Sequence, residues 1–266
     1  MKQKELDMEK LRNKIPIVGV VGPTGRKNHP VPKELLDVAL ELGSEGSKTA
    51  PCGLIVLTGG EYISSPKHVK EAALKGAIEA GAVGKPGRGI GILAGHNEVP
   101  LIIKREREGN NPLWKCLYGY TGLLKHQRNV LNGYLPGAII ALGGAAGTLS
   151  EVAFAAYAET PLVFLNSLSK LQDVRKSNEK ELREILKEAV NICPEFDPES
   201  GVVNILQKLD EALISGQSCN TAKAAVESAT RRAAAAGGAG NFPNIPTLAF
   251  TRAEFLAKLE SLNSND

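Results

Sequence analysis

The feature that most constrains this chain is a set of short, purely apolar runs that each meet glycine at the end. Ile15–Gly22 reads Ile-Pro-Ile-Val-Gly-Val-Val-Gly, Gly53–Leu57 leads into Thr58-Gly59-Gly60, and Ala138–Leu142 leads into Gly143-Gly144. Gly89–Leu93 is a run of the same kind. Such runs are too short for helices, and their lack of polar alternation predicts strands covered on both faces. Lys33–Leu42 and the alanine-rich His68–Ala80 lie between them with apolar residues at helical spacing. Leu101–Lys104 reads as a short strand, Leu149–Tyr157 as a helix and Pro161–Leu165 as the next strand. Parallel strands need crossovers, and helices supply them, so the pattern predicts a doubly wound α/β fold: a mostly parallel sheet with helices on both faces.

The C-terminal third is less patterned. Ser177–Ile192 and Val202–Ile214 read as amphipathic helices, the first charged enough to sit at the surface or against another subunit. Ala222–Gly240 is low in complexity and reads as a helix dissolving into a flexible linker, and Thr251–Leu262 as a last helix. This divides the chain into a solvated segment over 1–14, a ligand-binding domain over 15–216 and a helical, partly flexible C-terminal extension over 217–266.

Composition narrows the function classes. The formal net charge of +3 is weak and its charges are interspersed, and aromatic residues make up only 5% of the 266, so a nucleic-acid surface is not expected. Cys52, Cys116, Cys193 and Cys219 show no metal-ligand or redox spacing, which predicts reduced thiols and no metal site. The charged N-terminus lacks the apolar stretch of a signal peptide, and no run of about 18 apolar residues occurs, so a cytoplasmic chain without a membrane span is expected.

In a parallel sheet, ligands bind beyond the carboxyl ends of the strands. Three loops are predicted there: Gly22-Pro23-Thr24-Gly25, Thr58-Gly59-Gly60-Glu61 and Leu142–Thr148. The third combines Gly143, Gly144, Ala145 and Gly147 with the hydroxyl of Thr148 at the start of a helix, whose free N–H groups and dipole favour an anion. A phosphate is the natural occupant. The same glycines also suit simple close packing of helix on strand, and both readings stand on the residues alone. The histidines are isolated; His126 lies two residues before Arg128 and is the one placed to line a site. Lys104–Glu108 alternates in charge and reads as a solvated loop or a lid. Ser150 has no nucleophile elbow around it, so a serine hydrolase is not expected.

Arg128-Asn129 followed by Ala138–Glu151 resembles the PGGxGTxxE signature of the lonely-guy and molybdenum-cofactor-carrier superfamily, in which an arginine precedes the final glutamate by 23 positions, as Arg128 precedes Glu151 here. Val18–Pro23 is similar to its first strand and turn, Leu57–Gly60 to its second glycine loop and Thr121-Gly122 to the turn before the arginine. The resemblance runs over roughly 15–165 and implies a Rossmann-like fold. The ligand-binding set it implies is Gly22, Pro23, Thr58, Gly59, Gly60, Thr121, Gly122, Arg128, Asn129, Gly143, Gly144, Ala145, Gly147, Thr148 and Glu151. Ala145 replaces a glycine of the hydrolase branch, Ser64 stands where a glycine is usual beside Glu61, and Gly137 stands where an aspartate is common. The wording is closer to the carrier branch, which implies a binding protein for a phosphorylated nucleotide-like or pterin ligand, with no cofactor required and the molybdenum cofactor as a ligand it could carry. The alternative is a phosphoribohydrolase that cleaves nucleoside 5'-monophosphates with Arg128 and Glu151 as catalytic residues. A further alternative is a nucleotide- or DNA-sensing module. A structural role, Arg128 and Glu151 pairing to buttress the loop, completes the alternatives. Relatives assemble as dimers or larger homo-oligomers, so the resemblance implies a homo-oligomer.

Overall fold

The computed structural model describes residues 16–25, 29–48, 54–60, 65–80, 87–95, 101–104, 114–194, 196–197, 199–236, 240 and 243–263. The apolar runs form the strands β1 (Ile17–Val21), β2 (Ile55–Thr58), β3 (Gly87–Leu93), β6 (Ala138–Ala141) and β7 (Leu162–Leu165), joined by β4 (Leu101–Lys104), β5 (Trp114–Tyr120) and β8 (Gln217–Cys219). They make one sheet in the order β4-β5-β3-β2-β1-β6-β7-β8. Pairing is parallel throughout except at one edge, where β4 runs antiparallel to β5, with Leu101 opposite Gly119.

The helices are α1 (Lys33–Lys48), α2 (Val69–Glu79), α3 (Asn129–Tyr134), α4 (Ala146–Tyr157), α5 (Leu168–Ser177), α6 (Glu179–Val190), α7 (Ser200–Ser215), α8 (Ala222–Ala235) and α9 (Arg252–Asn263). Successive strand residues point to opposite faces, and both faces are covered. Val18, Val20, Val56, Ile140 and Val163 pack against α1, α2 and α8. Ile17, Ile55, Leu57, Ile139 and Phe164 pack against α3, α4, α6 and α7. This two-sided burial is why the strands read as unbroken apolar runs.

The helices α1 and α2 approach backbone to backbone. A β-carbon on Gly43 would collide with the Ala73 carbonyl, and one on Gly76 with the Leu40 carbonyl. Ser47 Oγ donates to Ala77 O at 2.6 Å across the same contact. Gly43→Ala is expected to cost about 2 kcal/mol in urea denaturation, because neither colliding partner is a side chain that can turn away. An unchanged midpoint would show that the two helices stand further apart.

The segment expected at the surface or a subunit contact contains α6, a surface helix whose inner side buries Leu182, Ile185, Leu186, Ala189 and Val190 beside α4 and α7. Its charges occupy the opposite side of the helix. The boundary expected at residue 216 falls directly before β8, a strand of the same sheet, and α8 lays Ala225, Val226 and Ala229 on the sheet face. The small residues that made this stretch look low in complexity are what let α8 lie close to the strands. The linker expected after it, at 237–239, lies outside the described residues.

Strands β1 and β6 are neighbours, yet the chain continues from β1 toward β2 and from β6 toward β7, in opposite directions across the sheet. The loops that leave their carboxyl ends therefore splay apart. A crevice at this switch point is the place where open α/β sheets bind ligands.

Candidate functional site

The cleft at the switch point has a volume of about 180 Å³. Its floor is the turn between β6 and α4. Gly143 and Gly144 take φ of 86° and 134°, values that side chains rarely tolerate, and a β-carbon on Gly144 would strike the Thr148 hydroxyl. Ala145 caps α4 without a side-chain acceptor; its carbonyl takes the Thr148 N–H at 2.9 Å, and no cap side chain takes the N–H groups of Ala146 and Gly147. The space above Gly147 is open. Thr148 lines the cleft, but its hydroxyl donates to Gly22 O at 3.1 Å and so ties the floor to the β1 loop.

One wall is the β1 loop, with Thr24 and Gly25 lining the cleft. Val69 N donates to Pro23 O at 3.4 Å, and Gly25 N donates to His68 Nδ1 at 3.0 Å, so this loop is stitched to the start of α2. The opposite wall comes from α3 and the turn before it. Asn129 Nδ2 donates to Ser150 Oγ at 2.7 Å, and Ser150 Oγ donates to Gly147 O at 2.8 Å, which locks α3 to the first turn of α4. Arg128 Nη1 donates to Gly59 O at 2.8 Å and Ile92 O at 3.0 Å. A single guanidinium thus staples the ends of β2 and β3 and still lines the cleft. Lys125 and His126 complete this wall, and Glu181 and Ile185 of α6 form the far rim.

Beneath the wall lies a buried charge cluster. Lys70 Nζ, on the first turn of α2, pairs with Glu151 Oε1 on α4, and Asn132 Nδ2 donates to the same oxygen at 2.7 Å. Glu151 is fully buried and Lys70 is 7% exposed, and of the two only Lys70 lines the cleft. Burial holds the Lys70 pKa below its ordinary value, Glu151 opposing this and Arg128 adding to it. Burial also lowers the Arg128 pKa, against the pull of Glu151. Among the described residues, Arg128 Nε, His126 Nδ1, Glu151 Oε2 and Asn132 Oδ1 are buried polar atoms without a hydrogen-bond partner. Gly59 sits at the centre: a β-carbon there would lie 2.7 Å from Asn132 Nδ2 and 3.3 Å from Lys70 Nζ.

Of the residues singled out in the sequence, Arg128, Asn129, Ala145, Gly147 and Thr148 line the cleft. Gly22, Pro23, Gly59, Gly143, Gly144 and Glu151 stand directly behind it in bonds and contacts that shape it. Thr58 Oγ1 accepts from Gly60 N at 3.0 Å within the second glycine loop. Thr121 and Gly122 form a turn instead of a wall: Thr121 Oγ1 donates to Leu93 O at 2.9 Å, and Gly122 has a φ of 70°. Glu61, Ser64 and the loop 105–108 lie outside the described residues. The partner of Glu151 is Lys70 and not Arg128. Lys70 carried a legible signal, since it shares one helical stripe with Leu74 and Ile78, both buried. A lysine opening an apolar stripe just after a glycine loop is where a buried cation belongs.

A doubly wound, mostly parallel sheet with a polar cleft at its switch point defines a Rossmann-like domain. The model of the SLOG cluster4 family matches residues 15–192, and the chain belongs to that family. This agrees with the resemblance carried by Arg128 to Glu151. No curated protein matches the sequence. Among solved structures, the chain is similar to the molybdenum cofactor carrier protein from Chlamydomonas reinhardtii, with 24% identity over 82% of this chain and 98% of that one and a TM-score of 0.46. It is also similar to the molybdenum cofactor binding protein from the phototrophic bacterium Rippkaea orientalis, with 28% identity over 64% of this chain and 88% of that one and a TM-score of 0.43. Among the described residues no helix is long and apolar enough to cross a membrane.

Proposed function

We propose that the cleft binds the phosphate of a nucleotide-like or pterin ligand, and that the protein holds this ligand as a carrier does. The observation that carries this reading is the convergence of Lys70, Lys125 and Arg128 with the uncapped N-terminus of α4 on one cleft. Fixed N–H donors and cations at a helix start are the donor set a phosphate needs. The phosphate of the molybdenum cofactor suits it as well as that of a nucleotide does.

Binding is favoured over hydrolysis by the position of Glu151. Cleavage of an N-glycosidic bond needs a carboxylate against the sugar or its attacking water. Glu151 is instead fully buried, its Oε1 taken by Lys70 and Asn132, and Lys70, not Glu151, lines the cleft.

Calorimetric titration with AMP, a pterin phosphate and inorganic phosphate tests the reading. The expected result is saturable binding of the organic phosphates, competition by inorganic phosphate and no release of adenine from AMP. Failure of all three ligands to bind would overturn it. Adenine release abolished by Glu151→Gln would establish the phosphoribohydrolase in its place. We expect the chain to form a homo-oligomer, for which light scattering after size exclusion is the measurement.

A further inference from the structure

We propose that His68 is a positioning residue of the cleft, holding the β1 loop in its binding geometry only while its imidazole is uncharged. The proposal rests on the reading of the cleft as an anion site, because the loop it holds is one wall of that cleft.

The loop after β1 must reverse away from the sheet and still present Thr24 and Gly25 to the cleft. Its attachments converge on the residue that opens α2. Thr24 and His68 form an isolated antiparallel bridge, and Val69 N donates to Pro23 O. The Gly25 N–H donates to His68 Nδ1 at 3.0 Å, a contact 43 residues apart in sequence. An imidazole nitrogen accepts only when it carries no proton, so this bond requires the ring hydrogen to sit on Nε2.

Glu71 holds the rest of the residue. Glu71 Oε2 accepts from the backbone N–H groups of His68 and Lys67, at 3.1 and 2.9 Å, which anchors the histidine at the head of the helix. Glu71 Oε1 lies 3.8 Å from Nε2, on the side of the ring away from Gly25. Among the described residues, the charged groups beside the ring are Glu71, which faces Nε2, and Lys67, its chain neighbour; the Lys70 ammonium pairs with Glu151. From the β1 loop, among the described residues, only Thr24 and Gly25 meet it, and neither titrates.

When the ring takes up a proton, Nδ1 becomes a donor facing the Gly25 N–H. The bond is lost and two donors are opposed, so the loop must move. Glu71 accommodates the new charge through Nε2, so the protonated ring stays in place while the loop leaves it. The sign follows directly. Only the uncharged ring supports the binding geometry, so ligand affinity falls as acidification puts a proton on the ring. One linked proton changes affinity by up to tenfold per pH unit.

Asparagine separates this role from simple packing. Its Oδ1 reaches the place of Nδ1 and accepts a hydrogen bond, it caps helices well, and it does not titrate. The test compares wild type, His68→Asn and His68→Ala from pH 5.5 to 8. Amide exchange at Gly25, read by NMR without ligand, is expected to show protection at pH 8 that wild type loses on acidification. His68→Asn keeps that protection at both ends, and His68→Ala lacks it at both. AMP affinity is expected to fall about tenfold more in wild type than in His68→Asn between pH 7.5 and 5.5. The second ionisation of the phosphate, near 6, acts on every variant alike and cancels in that comparison. Equal Gly25 exchange in wild type and His68→Ala, or identical pH profiles in wild type and His68→Asn, would overturn the proposal. Gly25 exchange that behaves as expected while AMP fails to bind at pH 8 would leave the histidine latch standing and remove the anion-site reading.

Discussion

Replacing Lys70 with methionine is expected to lower stability by about 3–5 kcal/mol in chemical denaturation, the cost of leaving a buried charge without its partner. The orphaned group would be Glu151, which is fully buried and retains only the Asn132 amide. Methionine nearly matches lysine in length and flexibility, so the loss measures charge and not a cavity. The double variant Lys70→Met/Glu151→Gln is expected to regain most of that stability, because glutamine is neutral and its oxygen still accepts from Asn132. Both variants would nevertheless bind AMP more weakly, since each lacks the ammonium that lines the cleft. Stability regained with affinity still lost would assign Lys70 to the ligand and Glu151 to Lys70. A single variant that costs less than about 1 kcal/mol would show that the pair is solvated, as exposed pairs are.

The history of this cluster in the sequence shows what a one-dimensional reading captures. Glycine turns are legible because they bind through backbone: Gly143 and Gly144 are dictated by positive φ, and Gly59 by the side chains that crowd its α-carbon. The strands β1, β2, β6 and β7 are legible because burial on both faces leaves them apolar but for Thr58 at the end of β2. Where an element lies at an edge or is very short, the same logic gives out. Strand β5 mixes Lys115 and Gly119 into its run, and β8 is three residues of which one is buried. Helix α3 spans six residues interrupted by Gly133, too few for a helical period to register, yet it carries Asn129 and Asn132. The pairing of Glu151 was illegible for a different reason. Arg128 lies 23 positions away and Lys70 lies 81, and only the placement of α2 against the sheet decides which cation reaches the carboxylate.

Arg128→Ala is expected to weaken AMP binding on the order of a hundredfold, whereas Lys125→Ala at the rim is expected to weaken it less than threefold. The difference comes from what each cation already does. The Arg128 guanidinium is held by the carbonyls of Gly59 and Ile92, so it meets a ligand without first being ordered. A charge-assisted hydrogen bond from such a group is worth about 1.5–3 kcal/mol, or roughly ten- to 150-fold in affinity. Lys125 has no such anchor: it is exposed, and each contact it makes with a phosphate must overcome the freedom of its side chain and screening by salt. Removing Arg128 also frees the ends of β2 and β3, so a thermal melt of the variant belongs beside the titration. Arg128→Lys then separates the two roles, because an ammonium keeps the charge but cannot staple two carbonyls and face a ligand in one plane. If lysine restores affinity, charge alone matters at this position. If it binds AMP as poorly as alanine does while melting near the wild-type temperature, the staple is what makes the cleft fit a phosphate.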